Sequence, residues 1–222
     1  MRQIDKSTLD FLAKLKKNND REWFNKNRPL YEEAKKDFES FIQEVISGIT
    51  EFEPILKGLE ASTCIYRINR DVRFSSDKSP YKSHMGAFIV RGGKKNGDKF
   101  AGYYIHIEPG ASMIAGGAYV PPAPWLSAIR EKVDQEPEKL IKVLKNKDFI
   151  SYFGELQGDK LKKVPRGYAA DNPQAELLKH KSFLVVNSPT DKEVTEPAFF
   201  DHVIKVALTM KPLNDYLNDY DV

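Results

Sequence analysis

"AGYYIHIEPGASMIAGGAYV" (Ala101–Val120) is the stretch whose reading decides the fold. Its first half alternates. Tyr103, Ile105 and Ile107 fall on one side of an extended chain, and Tyr104, His106 and Glu108 on the other. Pro109-Gly110 then turns the chain, and "SMIAGGAYV" (Ser112–Val120) returns. Strands joined by so short a turn run antiparallel, because a parallel partner needs a crossover of about a dozen residues or more. Gly116 and Gly117 in the returning run predict a bulge, or close approach by another backbone.

Further strands are expected on both sides of this pair. "MGAFIVR" (Met85–Arg91) is β-rich, and "GGKKNGDK" after it predicts a turn, with Asn96-Gly97 as the hairpin signal. "STCIYRI" (Ser62–Ile68) also alternates, placing Cys64, Tyr66 and Ile68 on one face. "SFLVVN" (Ser182–Asn187) supplies a late strand.

Helical patterns flank the strands. Ser7 is placed to cap a first helix carrying Leu9, Leu12 and Leu15, and Asp20 to cap a short one with Trp23 and Phe24. Pro29 suits the first position of a longer helix. There Leu30, Ala34, Phe38, Phe41, Ile42, Val45 and Ile49 form an apolar stripe, with Gly48 and Pro54 marking the end region. Trp125, Ile129 and Val133 share a face after a proline cluster, and "PEKLIKVLKN" reads as a further helix. A last helix from near Pro197 buries Phe199, Val203, Val206, Met210, Leu213 and Leu217, with a kink expected at Pro212. The expectation is one α+β domain over residues 1–222: a central antiparallel meander packed by N-terminal and C-terminal helices.

With 222 residues, 41% hydrophobic and 11% aromatic, the chain can bury a core and is not disordered. Cys64 is the lone cysteine, so no intramolecular disulfide forms and a reducing, cytoplasmic setting is expected. No secretory pattern reads in "MRQIDKSTLDFLAKL", and no apolar run approaches the ~20 residues of a membrane helix.

The net charge of +3 is unevenly spread. Residues 67–99 hold nine Lys/Arg against three Asp, or +6, so the remainder is −3. Such a zone suits an anionic small molecule and is too small for broad duplex DNA binding.

Much of it lies in "RINRDVRFSSDKSPYKSHMG" (Arg67–Gly86). Arg70, Arg73, Lys78 and Lys82 are candidate ligands for a phosphate or carboxylate, with Arg166 of the later turn "PRGY" as a possible fifth. Asp71 and Arg73 also suit a pair that braces the loop. Asp77, His84 and His106 are candidate proton donors and acceptors. His84, His106 and Glu108 lack a recognised metal-ligand spacing, so no metal is assigned, and the cofactor is left unassigned. The glycine-rich "RGGKKNGDK" lacks the ending of a phosphate loop.

"NNDREWF", "RINRDVRFSSDKSPYK", "GYYIHIEPG", the Gly pair before "PPAPWL", and "PRGY" together resemble a family of conserved hypothetical proteins, domain of unknown function 2461, over roughly Leu9 to Leu217. The resemblance implies an α+β architecture and carries no established catalytic residues. Two functional readings follow. One is a ligand-binding or enzymatic domain with an anion site on Arg67–His84. The other is a non-catalytic interaction module, whose charged segment is a structural network and whose basic hairpin contacts a protein or nucleic acid.

Overall fold

The computed structural model describes residues 3–220. Three helices open the chain: α1 (Lys6–Lys17), α2 (Arg21–Lys26) and α3 (Arg28–Thr50). A helical turn, α4 (Ala61–Cys64), precedes strands β1 (Met85–Ile89), β2 (Gly102–Ile107) and β3 (Met113–Ala118). Helices α5 (Ala123–Gln135), α6 (Glu138–Leu144), α7 (Lys147–Phe153) and α8 (Ala175–Leu178) lead to β4 (Phe183–Asn187). The short α9 (Asp191–Val194) and the long α10 (Phe199–Asn218) follow. The sheet order is β1-β2-β3-β4 with every neighbour antiparallel, so the fold is an α+β meander with helices at both ends.

The alternation in the quoted stretch decides which face is buried. Tyr103, Ile105 and Ile107 join Ala87, Ile89, Ile114, Phe183 and Val185 on a face that is almost solvent-free. Helices α3 and α10 cover it, and Phe41 of α3 stacks on Phe199 of α10 at 5.3 Å between centroids. Each fully buried side chain of this size contributes about 1.5–3 kcal/mol. Two glycines set how closely α10 lies. A Cβ on Gly116 would overlap the Met210 sulfur and stand 2.5 Å from the Gly102 carbonyl oxygen. A Cβ on Gly48 would come within 2.6 Å of Ile204 Cδ1. Gly116 is thus a close-approach glycine, and Gly48, in the last turn of α3, both marks the end region of that helix and admits α10.

Several local expectations are corrected. "STCIYRI" is no strand. Ala61–Cys64 form a helical turn, and the chain beyond touches β1 through the single bridge Ile65–Ala87. Gln43 of α3 anchors that turn by accepting from the Ala61 amide at 2.9 Å, a tertiary bond that local alternation cannot reveal. The first helix starts at Lys6 without a side-chain cap, so Ser7 is already inside it. Asp20 does cap α2, accepting from the Trp23 amide at 2.8 Å. Leu30 is 39% exposed and leaves the stripe. Gly97 has φ −66°, so Asn96-Gly97 is not a two-residue hairpin turn; the bend is made by Gly92 and Gly93 at positive φ. Pro212 sits within a continuous α10. Among the described residues no helix is long and apolar enough to cross a membrane.

The second face of the sheet carries Phe88, Tyr104, Met113, Leu184 and Val186, all half-exposed. It presents polar groups at the β1–β2 end, where Arg67–Gly86 returns to the sheet.

Candidate functional site

The segment between α4 and β1 is an irregular hairpin hung on the β1 edge. Asn69 and Tyr81 pair across it, and the Lys82 amide donates to the Ile68 carbonyl at 2.8 Å. Asn19 clamps its returning limb. The Asn19 amide group donates to the Tyr81 carbonyl at 2.9 Å, and its side-chain oxygen accepts from the Tyr81 amide at 3.1 Å. The Tyr81 ring stacks on Phe24 at 3.9 Å. "NNDREWF" therefore positions the loop.

At the loop tip the charges are spent on each other. Arg70 pairs with Asp77 and also donates to the Ser79 carbonyl at 3.3 Å. Asp77 accepts from the Ser79 hydroxyl at 2.7 Å and amide at 2.9 Å. The Ser79 bonds first, and then Arg70, hold the Asp77 carboxyl down at about 2. Lys78 donates to the Val72 carbonyl at 3.0 Å. Arg73 forks onto Asp71, with Nε–Oδ1 2.9 Å and Nη2–Oδ2 2.6 Å. That pair is local and exposed, with 77% of the Arg73 side chain in solvent against 25% of Arg70. Arg70 is thus the arginine tucked into the loop, and Asp71–Arg73 decorate it.

At the base of the loop the pattern changes. Lys82 is half-buried, its ammonium 5.4 Å from the Tyr66 ring centroid. It donates to the neutral carbonyl of Arg67 at 2.9 Å. It has no carboxylate partner among the described residues, whereas the exposed Arg67 makes no ion pair there but acts at longer range on Asp71. Burial, reinforced by the Arg67 charge, lowers the Lys82 pKa.

Beside Lys82 lies a row of polar side chains on the open face. The Tyr104 hydroxyl is 3.0 Å from His106 Nδ1, and His106 Nε2 is 3.1 Å from Glu108 Oε2. Glu108 Oε1 accepts from the Ser83 hydroxyl at 2.9 Å and from Lys16 of α1 at 3.2 Å. Burial acts to raise the Glu108 pKa, and the donors Ser83, His106 and Lys16 overcome it. His84 stacks on His106 at 4.2 Å, and its ring nitrogens have no hydrogen-bond partner among the described residues. Burial first, then His106, lowers the His84 pKa to about 4. Gly86, opposite His106 in register, makes room for the row: a Cβ there would stand 2.7 Å from the Tyr104 hydroxyl. A carboxylate–imidazole–phenol chain of this kind fixes the imidazole's orientation.

Of the residues singled out in the sequence, the structure brings His84, His106 and Lys82 together. Asp77, Arg70, Arg73 and Lys78 stay at the loop tip. Arg166 lies elsewhere. Its loop is tied to the β4 side by the Gln157–Leu184 and Lys160–His180 bridges, whereas Arg67–His84 hangs on β1, the opposite sheet edge. Sequence reasoning missed Ser83, Lys16 and the polar role of Tyr104. The alternation Tyr104, His106, Glu108 was the signal for the last; nothing local marks Lys16, 92 residues from its partner. A separate cavity of about 280 Å³ includes Glu53, Arg91, Phe100 and Tyr103 in its lining, with Tyr103 directed away from this row.

The sequence matches the family model of a conserved hypothetical protein, DUF2461, over residues 7–216. The chain belongs to the DUF2461 family. Searches of curated proteins and of solved structures found no match. The stretches that carried the resemblance meet in space, since "NNDREWF" clamps the central segment and "GYYIHIEPG" supplies the face beneath it.

Proposed function

We propose that this DUF2461 chain binds an anionic small molecule, of the phosphate-bearing class, at the base of the Arg67–His84 hairpin. Lys82 is the primary ligand, with Arg67 beside it and the Tyr66 ring as a wall. One observation carries the reading. Among the described residues Lys82 is a half-buried cation with no counter-ion, while Arg70 and Arg73 a few residues away each have a carboxylate. Burying a charge costs free energy unless it is paired, and an incoming anion supplies the missing partner. The tip residues Arg70, Arg73 and Lys78 frame the site and do not contact the ligand.

The basic hairpin of residues 91–99 is a weaker candidate for contacting partners. Arg91 lies over the Phe100 ring at 3.5 Å, and Lys94 donates to the Thr63 carbonyl at 3.2 Å, so both are held on the body. The buried, unpaired Cys64 supports a reducing, cytoplasmic home for this activity.

Calorimetric titration with inorganic phosphate and with adenosine monophosphate, at low ionic strength, tests the proposal. Saturable binding of one anion per chain is expected, weakening as salt rises. Absence of saturable heat with every anion tried would remove the proposal.

A further inference from the structure

The polar row next to Lys82 has a second property, independent of the anion. His84, His106 and Glu108 each offer one ligand atom, and these atoms lie within 4.8 Å of one another. What surrounds them is as informative as the donors. His106 Nδ1 is engaged by the Tyr104 hydroxyl at 3.0 Å, which leaves Nε2 for the cluster. Glu108 Oε1 is engaged by Ser83 and Lys16, which leaves Oε2. His84 is held by stacking alone, and its ring nitrogens have no protein partner among the described residues. Each fixed donor thus has its other polar atom secured by a neighbour, which is how outer-shell residues orient metal ligands.

We infer that His84 and His106 with Glu108 form a binding site for one divalent first-row transition ion, zinc foremost, on the open face of the sheet. Two imidazoles and one carboxylate suit zinc and its neighbours better than magnesium or calcium, which prefer all-oxygen shells. Three protein ligands, His106 buried and His84 and Glu108 partly exposed, leave a fourth position open on their exposed side, the arrangement of catalytic zinc sites. His106 Nε2 and Glu108 Oε2 are 3.1 Å apart and share a proton; with an ion on Nε2 the neutral imidazole carries its proton on Nδ1, where it donates to the Tyr104 hydroxyl oxygen. Ligand atoms about 2.1 Å from a tetrahedral ion lie roughly 3.4 Å from one another. The remaining closure falls to His84, which has no hydrogen bond to break among the described residues. The ion needs neither Lys82 nor Arg67, so this site stands apart from the proposed anion site while sharing its face.

The test is competition of chelator-stripped, full-length protein against a chromophoric chelator for zinc, with a cobalt titration to read the ligand field. One equivalent per chain is expected, and cobalt should give the visible bands of a four-coordinate site. Glu108→Gln, His84→Ala and His84→Phe should each weaken zinc binding at least tenfold. His84→Phe keeps the stacked ring without its nitrogens, so it separates loss of a ligand from loss of packing if His84→Ala folds poorly. Lys82→Met should retain zinc and lose phosphate. Zinc binding that survives His84→Phe and Glu108→Gln, or no stoichiometric binding at all, overturns the metal site. Phosphate binding that persists in Glu108→Gln leaves the anion reading intact in that event. Zinc binding without phosphate binding would do the reverse.

Discussion

Replacing Lys82 by methionine removes one charge and little else, because the unbranched stem can still lie along the Tyr66 ring. Two opposing effects on stability follow. The bond from the ammonium to the Arg67 carbonyl, 2.9 Å long, is lost. A typical hydrogen bond contributes about 0.5–1.5 kcal/mol net, and the Arg67 carbonyl is on an exposed residue that water reaches. Against this, the substitution removes a half-buried cation that sits near Arg67 with no carboxylate partner among the described residues, a source of unfavourable charge and desolvation. The two nearly cancel, so stability should change by less than about 1 kcal/mol. For a chain of this length that is a shift of no more than about 2–4 °C in melting temperature. Binding should respond quite differently. A charge-assisted bond to an anion is worth about 1.5–3 kcal/mol, so phosphate affinity should fall roughly 10- to 150-fold. Calorimetry for binding and scanning calorimetry for stability read the two effects separately. A large drop in melting temperature with unchanged phosphate affinity would refute the reasoning, since Lys82 would then be a structural donor.

Other consequences are equally specific. Arg70→Ala should lower the melting temperature while Arg73→Ala leaves it unchanged, because only Arg70 is tucked into the loop; equal effects in thermal melts would contradict this. Asp77, held at about 2 against an ordinary 3.8, stabilises the loop fully above the ordinary value, and that contribution is lost as pH falls through about 2. The Ser79 amide should therefore titrate in NMR spectra near 2, and a midpoint near 4 would show the bonds to be absent. Gly116→Ala should cost about 1–3 kcal/mol through overlap with Met210 and the Gly102 carbonyl, whereas Gly110, with nothing within 4 Å of a Cβ, should show only the smaller penalty of its positive φ. Denaturant titration of both variants checks the order.

The fold was legible wherever one strong local signal met one burial requirement. Tyr103, Ile105 and Ile107 alternate because one face packs on α10, and the stripe from Phe199 to Leu217 recurs at helical spacing because it is the other half of that contact. "STCIYRI" misled because its alternation is real, yet the Gln43 bond and the turn at Ala61–Cys64 hold it out of the sheet. Gly48 does lie in the last turn of α3, but that it also admits Ile204 is a tertiary fact that spacing does not carry. The candidate site was half legible. The charged segment was visible, but which of its cations found a carboxylate is a property of the folded loop. The bends that turn Arg70 inward and leave Lys82 unpaired do not follow from spacing alone. The polar row needed three parts of the chain to meet: Lys16, Ser83 to Gly86, and Tyr104 to Glu108.

The account rests on Lys82 being the ammonium that meets an anion. The most direct measurement follows the carbon next to each lysine ammonium by NMR, in isotope-labelled wild-type protein, during titration with inorganic phosphate. Lys82 should move saturably, with the midpoint measured by calorimetry, while the surface lysines shift weakly and linearly. If Lys82 stays still, or moves no more than the exposed lysines, the anion site is not where this structure puts it.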